Sequence, residues 1–311
     1  MPADLSLVAS LLSPQGRLRR SWNLAGGMSA EMTALEIETP DGNRTRCVLR
    51  CPGEAQLNEN PATIQNEYRV LQLGQAWGLP MPVPLLFLPP GAEYFTACMV
   101  MEYIEGGLDF SPTHVEDFLA QMAGALAQIH AATRDQADLA FLPRQENACP
   151  ETLPEIAQPA DLPSARIATA LRAFPLPTPA NPNALLHCDY WPGNLLWQNG
   201  QLKAVIDWED ASLGDPLVDL GIARLEVVWM FGPQALPLFT QAYAAHNRLD
   251  FSALPYWDLC AALRLSRLVG SSLGEWANSF ATQGRRDLTP LVLAERFAWF
   301  VEQAKKKLIG L

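Results

Sequence analysis

Two hydrophobic patterns divide the chain into a strand-rich region and a helix-rich region. Between residues 17 and 51, short runs of apolar and polar residues are separated by turn residues, which predicts strands at 17–24, 31–39 and 44–51. Apolar runs edged by proline or turn residues predict two more strands at 82–88 and 95–103. Two helices are predicted beside them, a short one within the first twelve residues and a longer one at 61–77.

A helical period dominates the rest of the chain. Apolar residues recur at helical spacing from about 111 to 130, and four later helices are predicted at 217–231, 234–246, 256–276 and 291–308. The segment 141–183 is dense in proline, which predicts a long irregular connection with one short helix at 164–174. Such a connection either shapes a binding pocket or simply crosses the surface. The predicted fold class is therefore α+β.

Composition and charge narrow the classes of partner. The net charge of −11 argues against a nucleic acid bound through a broad basic surface and is compatible with a cationic ligand. No apolar run approaches the roughly 20 residues of a membrane helix. Residues 5–12 lack the basic leader of a signal peptide, so we expect a cytoplasmic protein. The six cysteines form no C-x-x-C pair, and their scatter predicts neither a disulfide framework nor a zinc site.

The segment 185–219 carries most of the candidate chemistry. It contains His187, Asp189, Asn194 and Asp207, and the Asn-Gly pair at 199–200 predicts a tight hairpin between the last two. The returning strand is expected to bring Asp207 close to Asn194. An amide oxygen and a carboxylate are suitable ligands for Mg²⁺. Asp189 lies five residues before Asn194, close enough to face a hydroxyl that attacks a metal-bound phosphate.

This segment resembles the aminoglycoside phosphotransferase and choline kinase-like family. It contains the H-x-D-x-x-x-x-N spacing, Ile206-Asp207-Trp208 where a protein kinase has D-F-G, and Gly214-Asp215-Pro216 followed by Asp219. The resemblance implies a two-lobed protein-kinase-like fold with a nucleotide-binding lobe at 1–104 and a catalytic, acceptor-binding lobe at 105–311. It also implies Mg²⁺-dependent transfer of the γ-phosphate of ATP or GTP to a hydroxyl of a small molecule.

The resemblance also implies a role for individual residues. Asp189 is the expected catalytic residue, Asn194 and Asp207 are the expected metal ligands, and Asp219 is expected to brace the loop. Arg50 stands where protein kinases have a lysine, and Glu67 is its predicted partner in phosphate binding. His187 is expected to orient the loop, not to transfer protons. The remaining predicted nucleotide contacts are Gly26, Gly27 and Ser29 in the first turn and Met101, Glu102 and Tyr103 between the lobes.

The acceptor stays open at this level. Glu209, Asp210 and Asp215 either attract a cationic acceptor such as an aminoglycoside or are solvated loop charges. The alternatives are a metabolic kinase of an amino alcohol or sugar derivative and a nucleotide-binding protein without catalysis. Polar or aromatic residues of the later helices are the candidates for the edge of an acceptor site: Glu226, Trp229, Trp257, Arg264, Arg267 and Trp276.

Overall fold

The computed structural model describes residues 5–24, 30–91, 96–132, 136–145, 161–174, 177–178 and 180–309. The chain forms two compact units. The first contains Met1–Gly106 together with Lys203–Glu209, and the second contains Gly107–Leu202 together with Asp210–Leu311. A short segment from the second half of the chain is therefore part of the first unit.

The first unit is built on a five-stranded antiparallel sheet with the strand order β1-β2-β3-β5-β4. Its strands are β1 (Arg17–Asn23), β2 (Ala30–Glu38), β3 (Arg44–Pro52), β4 (Pro84–Leu88) and β5 (Cys98–Glu102). Its helices are α1 (Leu5–Leu12), α2 (Glu54–Glu59) and α3 (Thr63–Trp77). All five predicted strands and both predicted helices are present, whereas α2 was not predicted.

The two faces of β3 have different surroundings. Val8 and Ala9 of α1 pack with one face of the sheet, in a cluster that includes Cys47 and Leu49. Because successive side chains of a strand point to opposite faces, Arg50 lies on the other face. That arginine is 3% exposed, so β3 places a buried cation on this second face of the sheet.

One disulfide corrects the sequence analysis. β3 pairs with β5 in a register that matches Arg50 with Met99, so the next pair along the strands is Cys51 and Cys98. These two cysteines are joined by a disulfide, although their scatter in the sequence predicted none. Strand pairing across a sequence separation of 47 brings them together, and single-sequence spacing does not reveal such pairing.

The second unit is mostly helical and also contains short strands. Its helices are α4 (Val115–Ala131), α5 (Ser164–Arg172), α6 (Leu217–Phe231), α7 (Ala235–Ala244), α8 (Leu254–Val269), α9 (Leu273–Thr282) and α10 (Pro290–Ile309). Its remaining strands are β6 (Ala184–Leu186) and β9 (Ser212–Gly214), which pair with each other, and β7 (Leu195–Gln198). β7 pairs in turn with β8 (Gln201–Val205), and the boundary between the two units falls inside β8. Asn199 and Gly200 both have positive φ, as the predicted tight hairpin turn requires.

Helix α6 is the centre of this unit, because all of its residues are buried. It crosses α8 closely at Gly221, where an added Cβ would lie 2.8 Å from the carbonyl oxygen of Trp257. The same two helices share a buried ion pair in which Nε and Nη2 of Arg224 contact the carboxylate of Asp258 at 2.9 and 3.0 Å. These contacts fix the helices that carry several of the site residues described below.

The predicted helix at 256–276 is wrong as a single element. The chain instead forms α8 and α9, separated at Gly270, whose φ of 54° lies in the left-handed region. A residue with that conformation ends a helix, and glycine adopts it without steric penalty. The α+β fold class is confirmed, and no helix in the described part of the chain is long and apolar enough to cross a membrane.

Candidate active site

The loop after β6 is held in an unusual conformation by one buried carboxylate. Cys188 has a φ of 64°, which is uncommon for a residue with a side chain. Asp219, on the first turn of α6, accepts the backbone N–H of His187 at 2.6 Å and that of Cys188 at 2.7 Å. Asp219 is fully buried. The bracing role predicted for Asp219 is therefore present.

Two further side chains support that carboxylate. Nε2 of His130, at the end of α4, lies 3.2 Å from Oδ2 of Asp219, and Nδ1 lies 2.6 Å from the hydroxyl of Tyr243. Burial alone would raise the pKa of Asp219, but the hydrogen bond and charge of His130, together with the charge and backbone N–H of His187, hold that pKa below its ordinary value. His130 thus does more than complement a helix terminus, and its link to the loop was missed because 89 positions separate it from Asp219.

Asp189 has two partners that fix its two carboxylate oxygens. Nδ2 of Asn194 donates to Oδ2 at 2.9 Å, and Nη2 of Arg264 on α8 donates to Oδ1 at 2.9 Å. Nδ1 of His187 accepts the backbone N–H of Asp189 at 3.2 Å. His187 is completely buried, which agrees with a structural role for its ring. The carboxylate of Asp189 is about a third exposed, so it is oriented and still accessible.

A second carboxyl group, that of Glu226 on α6, belongs to the same neighbourhood. Glu226 is 7% exposed. Burial raises its pKa to about 8, the nearby charge of Asp189 adds to the effect, and the charge of Arg264 opposes it. At neutral pH a carboxyl with this pKa is mostly protonated, whereas Asp189 has a cation beside it. The site therefore contains two carboxyl groups in different environments.

Arg50 is the centre of an ionic cluster within the first unit. Its Nε donates to Oε2 of Glu67 at 2.7 Å, and its Nη2 contacts Glu209 and lies 3.4 Å from Oδ1 of Asp207. Burial opposes its charge, but the three carboxylates outweigh that and raise its pKa. The pairing of Arg50 with Glu67 was predicted, whereas the contact with Glu209 was not. Glu209 also accepts a hydrogen bond from Gln56, so it is tied to the first unit.

The two predicted metal ligands belong to different units. Asn194 is buried, and its Nδ2 is directed to Asp189, which leaves Oδ1 as the amide atom suited to a cation. Asp207 has a φ of 67° and a partly exposed carboxylate. Both donors are hard oxygens of the kind that Mg²⁺ prefers, so the residues fit that ion chemically.

The predicted nucleotide contacts are described only in part. Gly26, Gly27 and Ser29 lie outside the described residues. Met101 is buried in β5, and the backbone N–H of Glu102 donates to the carbonyl of Val83 at 2.8 Å. The N–H of Glu102 is therefore engaged within its own unit. The ring of Tyr103 packs edge-on against Trp22 and under the guanidinium of Arg46.

Asp215 and Trp229, two of the remaining sequence candidates, have structural contacts. Asp215 accepts the backbone N–H of Leu217 at the start of α6 and the side-chain amide of Asn181. Trp229 is fully buried and its indole donates to the carbonyl of Leu293. Cys188 is buried, and burial raises the pKa of its thiol well above the ordinary range, so it is not an activated nucleophile.

Comparison with known proteins identifies the family of the chain. The model of the phosphotransferase enzyme family matches residues 24–263. Acyl-CoA dehydrogenase family member 11 of Pongo abelii is 23% identical over 263 residues, which are 74% of this chain and 33% of that protein. The chain thus spans about a third of the length of that relative. Homoserine kinase of Methylocella silvestris is 29% identical over 65% of this chain and 66% of its own.

Solved structures share the fold at lower identity. Spectinomycin phosphotransferase, solved with ADP and spectinomycin, is 14% identical, has a TM-score of 0.60 and is covered over 99% of both chains. A choline/ethanolamine kinase family protein from Mesorhizobium loti is 19% identical, has a TM-score of 0.54 and is covered over 93% of this chain and 92% of its own. The family model matches well over half of the chain, and it follows that the chain belongs to the phosphotransferase enzyme family.

Proposed function

We propose that the protein transfers the γ-phosphate of ATP or GTP to a hydroxyl group of a small molecule. The observation that carries this proposal is the loop braced by Asp219, in which the side chains of Asp189 and Asn194 meet at 2.9 Å. A kinase needs a carboxylate that is oriented by neighbours and still accessible to the attacking hydroxyl. Asp189 has both properties.

Each predicted residue has a definite task in this reaction. Asp189 orients the acceptor hydroxyl and accepts its proton. Asn194 and Asp207 hold Mg²⁺, which when bound neutralises charge on the β- and γ-phosphates. Arg50, positioned by Glu67, binds the phosphates, and the main chain near Met101, Glu102 and Tyr103 and the turn at Gly26, Gly27 and Ser29 bind the rest of the nucleotide. This assigns nucleotide binding to a lobe at 1–104 and acceptor binding and catalysis to a lobe at 105–311.

Two observations bear on the acceptor. Of the three carboxylates considered for a cationic acceptor, Glu209 contacts Arg50, and Asp215 caps α6, so these two support a cationic antibiotic less than the sequence suggested. The structural neighbour crystallised with spectinomycin supports an aminoglycoside-like acceptor, whereas the homoserine kinase relative supports a metabolic one. We therefore propose a hydroxylated small molecule as the acceptor and retain both classes for testing.

The test separates nucleotide binding from turnover. Thermal shift with ATP and GTP, with Mg²⁺ or with EDTA, identifies the nucleotide, and release of ADP or GDP is then followed with aminoglycosides, amino alcohols, homoserine and sugars. We expect Asp189→Asn to lower kcat by about 10²- to 10⁴-fold while the nucleotide shift persists. Asp207→Ala is expected to remove the Mg²⁺-dependent shift.

Three outcomes would contradict the proposal in different ways. An Asp207→Ala protein with unchanged turnover would refute the metal assignment. Full activity in Asp189→Asn would refute the role of Asp189. A wild-type protein that shows a nucleotide shift but no turnover with any acceptor class would favour the alternative of a nucleotide-binding protein without catalysis, for which the arginine at position 50 was the sequence argument.

A further inference from the structure

The five-stranded sheet of the first unit consists of two halves that meet between β3 and β5. Strands β1, β2 and β3 pair with each other in chain order, and β4 pairs with β5. The described sheet therefore joins residues 17–52 to residues 84–102 through the pairing of β3 with β5. The register of this junction ends with the pair of Arg50 and Met99, so the buried arginine lies at the end of the junction.

A disulfide continues the junction where the residue pairing ends. Cys51 and Cys98 are the next positions after Arg50 and Met99, and they are joined to each other. Because successive side chains of a strand alternate between the two faces, the disulfide lies on the face of the sheet opposite to Arg50. Both cysteines belong to the apolar cluster that includes Val8 of α1. A covalent bond thus holds the two halves together one residue away from the buried arginine.

The residues assigned above to nucleotide binding are divided between these two halves. Arg50 is in β3, and its Nε donates to Oε2 of Glu67 at 2.7 Å. Met101 and Glu102, whose main chain is assigned to the nucleotide, are the last two residues of β5. The position of Arg50 relative to that main chain therefore depends on how firmly β3 and β5 are joined.

The surroundings of the cysteines on this face determine how the disulfide can open. Cys51 is partly buried, whereas Cys98 is 3% exposed, so a thiolate from solution reaches Cys51 more easily. Cys47, on the same face of β3, is also buried, and burial raises the pKa of its thiol to about 11. A thiol with that pKa is almost entirely protonated at neutral pH and is a poor nucleophile. Opening the disulfide therefore requires a thiol from outside this cluster.

We propose that the Cys51–Cys98 disulfide is a redox switch for nucleotide binding, opened by low-molecular-weight thiols. The thiolate of one such thiol attacks Sγ of Cys51, the S–S bond breaks, and Cys98 leaves as a thiolate that takes up a proton. A second thiol attacks the mixed disulfide and releases Cys51 as a thiol, together with the oxidised small-molecule disulfide. Two electrons thus pass from two small thiols to the protein.

Opening the disulfide weakens nucleotide binding, because β3 and β5 are then joined by their residue pairing alone. A nucleotide that contacts both halves must order the end of the junction when it binds, and that ordering lowers its affinity. The switch rests on the proposed function, since that function assigns both halves to the nucleotide. Disulfides in the reducing compartments where ATP is abundant are usually transient or redox-sensing, which agrees with a bond that opens and closes.

Calorimetric titration of the full chain with ATP and with GTP, each with Mg²⁺, tests the switch in the oxidised and the dithiothreitol-reduced protein. We expect reduction to raise the Kd of the bound nucleotide about tenfold and reoxidation to restore it. Near-UV circular dichroism checks that both forms are folded, and peptide mapping after alkylation checks that the new thiols are Cys51 and Cys98. An equal Kd in the two forms would overturn the proposal, and so would a disulfide that stays closed in the folded protein.

Variants assign the response to this pair of cysteines. The double variant Cys51→Ser with Cys98→Ser is expected to bind nucleotide as weakly as the reduced wild type and to be unaffected by dithiothreitol. Cys47→Ser is the matched control, since it removes a thiol from the same face of the same strand and leaves the disulfide intact, and it is expected to keep the full response. A thiol response that persists in the double variant, or that is lost in Cys47→Ser, would overturn the assignment. The comparison of oxidised and reduced wild type needs no substitution, so it decides the question even if the double variant does not fold.

The same titrations separate the switch from the proposed function. Nucleotide binding of equal strength in both redox forms leaves phosphotransfer standing and refutes the switch alone. Binding that becomes stronger on reduction also refutes it, because an opened junction cannot then be the weaker site. An absence of nucleotide binding in both forms refutes the proposed function and, with it, the switch.

Discussion

At the residue scale, Arg50 shows which contacts an arginine makes at the position where protein kinases have a lysine. The guanidinium group of Arg50 contacts Glu67 through Nε, and it contacts both Glu209 and Asp207 through Nη2. A lysine has a single nitrogen for such contacts. We predict that Arg50→Met lowers the free energy of unfolding by about 3–5 kcal/mol, because the buried Glu67 must then either stay charged without a cation or take up a proton. Urea unfolding at pH 7 measures the change.

A double mutant distinguishes this reason from a simple loss of packing. In Arg50→Met with Glu67→Leu no buried charge is left at position 67, so we expect the double variant to be more stable than Arg50→Met alone. Glu67→Leu alone leaves Arg50 with Asp207 and Glu209 and is expected to be the milder single change. Strictly additive losses would contradict the account.

Glu226 gives a prediction for pH. Its pKa in the folded protein is raised by burial to about 8, from an ordinary value of 4.5. Between these two pH values Glu226 is protonated in the folded state and ionised in the unfolded state. Its contribution to the free energy of unfolding is therefore complete at low pH and is lost as the pH rises. The slope is at most about 1.4 kcal/mol per pH unit for one proton.

The measurement compares wild type with Glu226→Gln by urea unfolding at pH 5, 6.5 and 8. The glutamine keeps the shape and does not titrate, so we expect the stability of the variant relative to wild type to improve steadily as the pH rises. Glu67 also has a pKa raised by burial, to about 7, and contributes equally to both proteins. A difference that does not vary with pH would refute the assignment.

Residue pairs differ in how far the sequence could predict them. The partnership of Arg50 and Glu67 was accessible because a family resemblance supplied the position of each. The contact between Arg264 and Asp189 was not, since 75 positions separate them and arginine has many possible partners. Arg264 was placed at the edge of an acceptor site on residue type alone, and its actual contact is with the predicted catalytic carboxylate.

At the element scale, the crossing of α6 and α8 depends on one glycine. A Cβ at Gly221 would lie 2.8 Å from the backbone oxygen of Trp257, a contact that side-chain motion cannot relieve. We predict that Gly221→Ala lowers the free energy of unfolding by about 1–3 kcal/mol. Thermal and urea unfolding measure the loss.

A second helical glycine is the matched control. In α4, a Cβ at Gly124 would lie 3.8 Å from Nε2 of His246, which is an ordinary contact. Gly124→Ala is therefore expected to raise stability by up to about 1 kcal/mol, since alanine favours a helix more than glycine. Opposite signs for the two changes support close packing at Gly221. Stabilisation by both would contradict it.

Two elements were predicted with the bounds or the conformation that they have in the structure. Helix α6 has the predicted bounds, and the Asn199–Gly200 turn has the predicted conformation. The break at Gly270 was missed because the apolar period continues past it, and backbone conformation overrides that period. The three-residue strands β6 and β9 were missed because runs so short have no measurable alternation.

At the scale of the whole molecule, the chain completes its first unit with a segment from much later in the sequence. Lys203–Glu209 belongs to that unit, and the backbone N–H of Val205 donates to the carbonyl of Pro80 at 2.7 Å. The same segment supplies Trp208, which is 1% exposed, and the carboxylates of Asp207 and Glu209 around Arg50. The predicted boundary after residue 104 divides the chain at a single position. Such a division leaves Lys203–Glu209 out of the first unit.

Because Lys203–Glu209 belongs to the first unit, we can predict how fragments of the chain fold. We expect a fragment of residues 1–106 to lack a cooperative unfolding transition, because it loses a fully buried tryptophan, a change worth about 3–5 kcal/mol, and two partners of Arg50. A second fragment adds residues 203–209 through a flexible Gly/Ser linker of about 15 residues and is expected to recover a cooperative transition. Near-UV circular dichroism during heating measures both.

Replacing the two carboxylates of the added segment with neutral side chains separates the contribution of their charges from that of Trp208 and the backbone hydrogen bond. With Asp207→Asn and Glu209→Gln, the linked fragment keeps Trp208 and the backbone hydrogen bond but loses two charges around Arg50. Because each of these carboxylates is partly exposed, we expect this variant to melt between the bare fragment and the linked one. Equal melting of the bare and linked fragments would mean that residues 1–106 fold without the returning segment. The carboxylates of Asp207 and Glu209 would then contribute nothing to the integrity of the first unit.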